Sequence, residues 1–178
     1  MKNTNSKNSV IESSFFFHWD TVVWIITIVL LAFCLCFPVY LIMKYGWEMS
    51  NMYVIALILL IIIGILLFVP LKLIVDTRQI KLIRAIPNLI IPLSEIAEVE
   101  LITDPKFTSN MIRTCGCGGF MGYFGSFRHD RLGSLKMYVT HRQQMFIIWL
   151  KNGKYYIFSS HIREQIVRLI KDNISPLE

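Results

Sequence analysis

Residues 54–68 read VIALILLIIIGILLF, and a helix built from that run has no face that water could hydrate. A helix apolar all round belongs in lipid or deep inside a large core, so this stretch sets the class of the whole chain. The uncharged tract that contains it runs for 23 residues between Glu48 and Lys72, and a second tract of 23 lies between Asp20 and Lys44. About 20 residues suffice to cross the hydrocarbon layer as a helix. Apolar residues make up 54% of the 178, above the roughly 45–50% of soluble domains. The expectation is a two-helix transmembrane hairpin over 21–71, with spans at 21–43 and 50–71, after an N-terminal tail of 1–20.

A cleaved signal peptide fits poorly, because the tail is long and acidic at Glu12 and Asp20 and no small-x-small site follows the apolar run. Cys34 and Cys36 read as apolar fillers, and Pro38 falls near the outer end of the first span, where a freed carbonyl is tolerated. Lys2 and Lys7 precede the first span, Lys72, Arg78, Lys81 and Arg84 follow the second, and the connection KYGWEMSN (44–51) carries Lys44 alone. Cations favour the cytoplasmic side, so a two-pass protein of the cell (inner) membrane with both termini cytoplasmic is expected. Tyr40, Tyr45, Trp47 and Tyr53 around the connection, and His18 and Trp19 at the start of the first span, suit the headgroup level. The cysteine spacing suggests no oxidised framework.

Up to Glu48 three basic residues balance three acidic ones, whereas from Lys72 onward 15 face 9, so the net charge of +6 lies on 72–178. A basic domain tethered at a bilayer gains affinity for anionic headgroups, and no nucleic-acid module is recognisable. Short segments rich in Ile, Val, Leu and aromatics recur there between turn residues: LKLIVD (71–76), QIKLIRA (79–85), NLIIP (88–92), IAEVELI (96–102), SLKMYVT (134–140), QMFIIWL (144–150) and KYYIFS (154–159). Asn152-Gly153 is a hairpin signal. The period then changes, with Ile162, Ile166, Leu169 and Ile170 on one face, predicting a helix over 160–173, capped by Ser159 or Ser160 and stopped by Pro176.

Seven strands followed by a helix, with the local run GGFMGYFGSFRHDRLGSLKMYVT (118–140) continuing through IIWLKNGKYYIFSS (147–160), resemble the bacterial pleckstrin-homology-like (PH-like) domains of small membrane proteins. The resemblance spans about Lys72 to Asp172. It implies an α+β chain: the helical hairpin, then seven antiparallel strands in two orthogonal sheets capped by a C-terminal helix. It also implies a non-enzymatic binding or scaffolding module, and it assigns no ligand. Phosphoinositide-binding members use a basic loop between their first two strands, and here that connection offers Arg78 alone.

The stretch 103–133 is long for a connection yet too apolar for a solvated loop. Phe120, Tyr123, Phe124 and Phe127, flanked by Arg113, Arg128 and Arg131, form the candidate ligand or lipid site. Rings at the acyl boundary with arginines on phosphate give one reading, and a satellite core beneath the sheet gives the other. No catalytic residue, metal ligand set or cofactor is assigned. Cys115 and Cys117 with His129 and His141 lack paired zinc spacing, no phosphate-loop pattern is present, and His129-Asp130 has no nucleophile partner. The partners expected are membrane lipid, proteins or a second copy of the chain, and not nucleic acid. Two further readings are an accessory subunit of a transporter or sensor complex assembled through the hairpin, and an enzyme with a site in 113–131.

Overall fold

The computed structural model describes residues 10–14 and 19–174. Asp20 opens helix α1 (Thr21–Tyr45), its carboxylate accepting from the Val23 amide at 2.8 Å, a side-chain cap that satisfies an otherwise orphaned donor. Pro38 withholds an N–H inside the helix, which nonetheless continues to Tyr45 and closes at Gly46, φ 72°. Asn51 bonds the Gly46 carbonyl at 3.1 Å across the tight connection. Helix α2 (Met49–Phe68) ends where Val69 takes an extended conformation, as a residue before proline prefers. Both helices are long and apolar enough to cross a membrane, and most of their side chains are exposed. His18, Lys2, Lys7 and Pro176, used above for orientation and helix termination, lie outside the described residues.

Strand β1 (Ile11–Ser14) and strands β2 (Lys72–Val75), β3 (Gln79–Ile83) and β4 (Leu89–Pro92) form a four-stranded antiparallel sheet in that order. The second sheet contains β5 (Ile96–Leu101), β6 (Met111–Gly118), β7 (Tyr123–His129), β8 (Gly133–Val139), β9 (Met145–Leu150) and β10 (Tyr155–Ser159), ordered β5-β9-β10-β8-β7-β6. Each of the seven expected segments is a strand, but the described residues hold ten strands and the second sheet is mixed rather than antiparallel. Strand β1 comes out of the expected tail and pairs with β2 in the register Ile11↔Val75 to Ser14↔Lys72. Strands β6 and β7 occupy about half of the expected long connection. Strands β8 and β10 run parallel, because the 141–144 connection carries the chain past β10 to β9 instead of folding β9 back onto β8.

The parallel pairing has a physical basis in two-sided burial, the usual setting of parallel strands. Phe146, Ile148, Tyr156 and Phe158 face a main core shared with the four-stranded sheet through Leu73, Val75, Ile80 and Leu82. Leu135, Met137, Val139, Ile147 and Ile157 point the other way into a second cluster, closed by Phe107, Met111 and Leu132. Phe158 is fully buried, with its ring centroid 5.8 Å from those of both Tyr138 and Phe146.

Helix α3 (Arg163–Ile174) starts three residues later than the sequence pattern predicts, since 161–162 form a turn. Ser160 holds that turn, its hydroxyl accepting from the Ile162 amide and its carbonyl from the Arg163 amide, each at 3.2 Å. Ser159 serves the β8 end instead, accepting from the Thr140 amide at 2.9 Å. Ile166, Val167 and Ile170 seat α3 on the main core. The Arg163 guanidinium donates to the Ile102 and Gln143 carbonyls at 3.2 and 2.9 Å, pinning the start of the helix to the sheet.

Candidate functional site

The folded domain grips both apolar helices. At the start of α1 the Asp20 amide donates to the Thr140 carbonyl at 3.0 Å, and the Asp20 carboxylate pairs with Arg142 at 3.0 Å. Further along, the buried Thr27 hydroxyl accepts from the Met121 amide at 2.9 Å, and Gly119 lies so close to α1 that a Cβ there would stand 2.5 Å from Ile26 Cδ1. At the end of α2 the Ile86 amide donates to the Leu67 carbonyl at 3.2 Å, satisfying one of the carbonyls a helix end leaves free.

These contacts place the β6–β7 hairpin against the helices. Its two strands approach closely across the pair Gly116↔Gly125. A Cβ on Gly125 would land on the Cys115 carbonyl, and its φ of 125° suits glycine alone. The register shift between Arg113 and Cys115 adds the twist of a bulge.

The candidate residues divide between the two sides of this hairpin. Phe120, Phe124 and Phe127 are buried, at 6%, 4% and 6% exposure. Phe124 joins the main core and Phe127 the second cluster, whereas Phe120 belongs to neither and lines a cleft beside the helices. Tyr123 is half-buried with the Arg142 guanidinium 5.2 Å from its ring centroid. Burial, more than the nearby Asp20, raises its hydroxyl above the usual tyrosine range, and Arg142 opposes the shift. Arg113, Arg128 and Arg131 are exposed, and the structure separates them. Arg131 borders a cavity of about 320 Å³ with His129 and Phe107, whereas Arg113 reaches a larger cleft on the helix side.

That cleft, about 880 Å³, opens between α1, α2 and the hairpin. Leu30, Phe33 and Cys34 line it from α1, Ile58, Ile61, Ile62, Gly64, Ile65 and Phe68 from α2, and Phe120, Phe124 and residues 115–117 from the domain. Its charged lining residues are Arg84 and Arg113, and neither forms an ion pair among the described residues. The Arg84 Nε donates to the Pro87 carbonyl at 2.9 Å, and its Nη1 donates to the Tyr138 hydroxyl at 3.3 Å. The same guanidinium stands 5.2 Å from the Tyr138 ring centroid. Arg113 folds back over Gly118, where a Cβ would stand 2.9 Å from its Nη1.

The smaller cavity offers less chemistry. His129 is buried and stacked 4.7 Å from Phe107, not placed in a solvated turn. Its Nδ1 accepts from the Arg131 and Leu132 amides at 3.1 and 3.4 Å, which occupies the lone pair a general base would use. On the larger cleft, the Cys117 thiol donates to the Phe120 carbonyl at 3.2 Å. Burial raises its pKa, against smaller opposing effects of that bond and of Arg113, so it resists forming the reactive thiolate. Among the described residues no three His, Cys, Asp or Glu side chains converge as a metal site would require.

Sequence reasoning named Arg113, Phe120 and Phe124 but not Arg84 or the helix residues that complete the cleft. Gly64, the break in an otherwise unbroken apolar run, was the signal available.

Two sheets, a helix closing their core and an N-terminal apolar pair define a PH-like domain carried on a helical hairpin. A sequence model described as bacterial PH domain matches residues 71–171, more than half of the chain, and the chain therefore belongs to the bacterial PH domain family. No curated protein and no solved structure matches it. Domains of this kind are typically binding modules rather than catalysts.

Proposed function

We propose that the protein is a membrane-anchored, non-enzymatic binding or scaffolding module, with α1 and α2 crossing the cell membrane and the PH-like domain on the cytoplasmic face with both termini. The observation that carries this reading is the pairing of β1 with β2. Residues before α1 and after α2 share one hydrogen-bonded ladder, so a bilayer crossed by both helices has them on one side. The excess of cations from Lys72 onward favours the cytoplasm as that side. Membership of a family of binding modules and the engaged Nδ1 of His129 favour binding over catalysis.

A fluorescent protein fused after Glu178 is expected to fluoresce while alkaline phosphatase fused there stays inactive, with the chain retained in carbonate-washed membranes. Active phosphatase would overturn the orientation, and loss of the chain in the wash would overturn the anchor. Photo-crosslinkers at the exposed positions Arg128, Lys136 and Lys151 are expected to trap protein or lipid adducts in cells, and a bare domain at all three counts against a module that binds.

A further inference from the structure

We propose that the cleft between the two apolar helices and the β6–β7 hairpin holds one acyl chain of an anionic phospholipid, with Arg84 and Arg113 receiving its phosphate. The inference rests on the membrane-anchored reading and names the partner it leaves open.

Shape comes first. The cleft follows α2 from Ile58 to Phe68, and at 1.5 Å per residue those ten steps cover roughly 15 Å. The hydrocarbon layer is about 30 Å thick, so the groove is one leaflet deep and begins at the helix end nearest the domain. Its volume of about 880 Å³ lies within the ordinary range of small-ligand sites, roughly 300–1,000 Å³. Isoleucines of α2 and the Phe33 and Phe120 rings make its walls apolar, matching a hydrocarbon chain and not a free inorganic anion.

Charge comes second. Among the described residues two arginines and no carboxylate line the cleft, and cations beside so much apolar surface call for an anion. Arg84 is also prearranged for one. Of the five N–H donors in a guanidinium, two are taken by Pro87 and Tyr138, which leaves three for phosphate oxygens while the Tyr138 ring fixes the plane. Arg113 owes its position to Gly118, since any side chain there would displace the guanidinium. Planar arginine donors suit phosphate in two-pronged contact.

The test uses the full chain in detergent with equimolar phosphatidylglycerol and phosphatidylcholine, and native mass spectrometry counts the lipid each chain retains. Wild type is expected to keep one phosphatidylglycerol in preference to phosphatidylcholine. Arg84→Ala and Arg113→Ala are each expected to lower that preference about 5-fold, from roughly 1 kcal/mol per cation near an anionic headgroup. Gly64→Phe supplies a variant that leaves both arginines intact. A Cβ at Gly64 meets nothing within 4 Å, so the ring enters the cleft, and loss of retained lipid of both kinds is expected. Equal retention of the two lipids by wild type, or a preference untouched by all three substitutions, overturns the lipid site while leaving the anchored reading standing. A chain that fails to enter carbonate-washed membranes overturns both.

Discussion

Two antiparallel hairpins of the second sheet, β9–β10 and β6–β7, share a pairing pattern and differ in what surrounds them. The first is packed on both faces: Phe146, Ile148 and Phe158 look into the main core, and Met145, Ile147 and Ile157 into the second cluster, while its Asn152-Gly153 tip is exposed. The second is the sheet's edge. Its outer strand leaves Ile112, Arg113, Thr114 and Cys115 exposed, and its tip is the part that is covered, by Ile26 and Thr27 of α1. One hairpin contributes to both apolar clusters of the domain. The other is packed at its tip against α1, and the cleft proposed to take lipid is built on that less covered element.

The sharpest way to break the comparison is to truncate the inner hairpin. Phe158→Ala removes a fully buried ring from the centre of an aromatic cluster and should cost about 3–5 kcal/mol. Loss of cooperative unfolding of the full chain in chemical denaturant would register it, and a near-neutral outcome would mean the core is centred elsewhere.

Gly125→Ala acts on the edge hairpin, forcing a side chain onto the Cys115 carbonyl at a φ of 125°. Roughly 1–3 kcal/mol of backbone strain is expected, felt as faster amide exchange in β6 and β7 while β9 and β10 keep their protection. Uniform loss of protection would show that the two hairpins open as one unit.

Thr27→Val keeps the shape of the side chain but strands the Met121 amide, at about 1 kcal/mol or somewhat more. Cleavage by protease at the hairpin tip should rise while the denaturation midpoint of the domain moves little. Ile112→Ser, at a residue 67% exposed on the edge strand, is expected to change stability by less than about 0.5 kcal/mol; a larger loss would reveal a covering for that edge.

The same contrast decides what the sequence disclosed. The inner hairpin was legible because Asn-Gly sits between two runs of β-branched and aromatic residues. The edge hairpin was not, because glycines at 116, 118, 119, 122 and 125 erase the alternation on which a strand is read. Its strands owe their form to pairing partners rather than to their own side chains. Strand β1, reading IESS, carries too little apolar pattern to announce itself, and its partner lies 60 residues on. The parallel contact of β8 with β10 joins strands that are not consecutive, which no local turn specifies. At the candidate site, residue types were readable and their grouping was not. Arg113 and Arg128 flank the same aromatics in sequence, yet only Arg113 faces the cleft, and Arg84 comes to it from the other sheet.

The ladder between β1 and β2 bears on the order in which the molecule is assembled. Glu12 leaves the ribosome 60 residues before its partner Lys72, an interval of about 3–12 s at 5–20 residues per second. Both apolar helices are made within that interval. If only one of them entered the bilayer, β1 and β2 would emerge on opposite sides and the four-stranded sheet would lack its first member, with Ser13 unable to reach its hydrogen bond to Ser160 in the turn before α3. In the membrane-anchored reading, closure of the first sheet thus excludes a chain with a single helix inserted, because such a chain keeps β1 and β2 apart and leaves a strand edge unpaired.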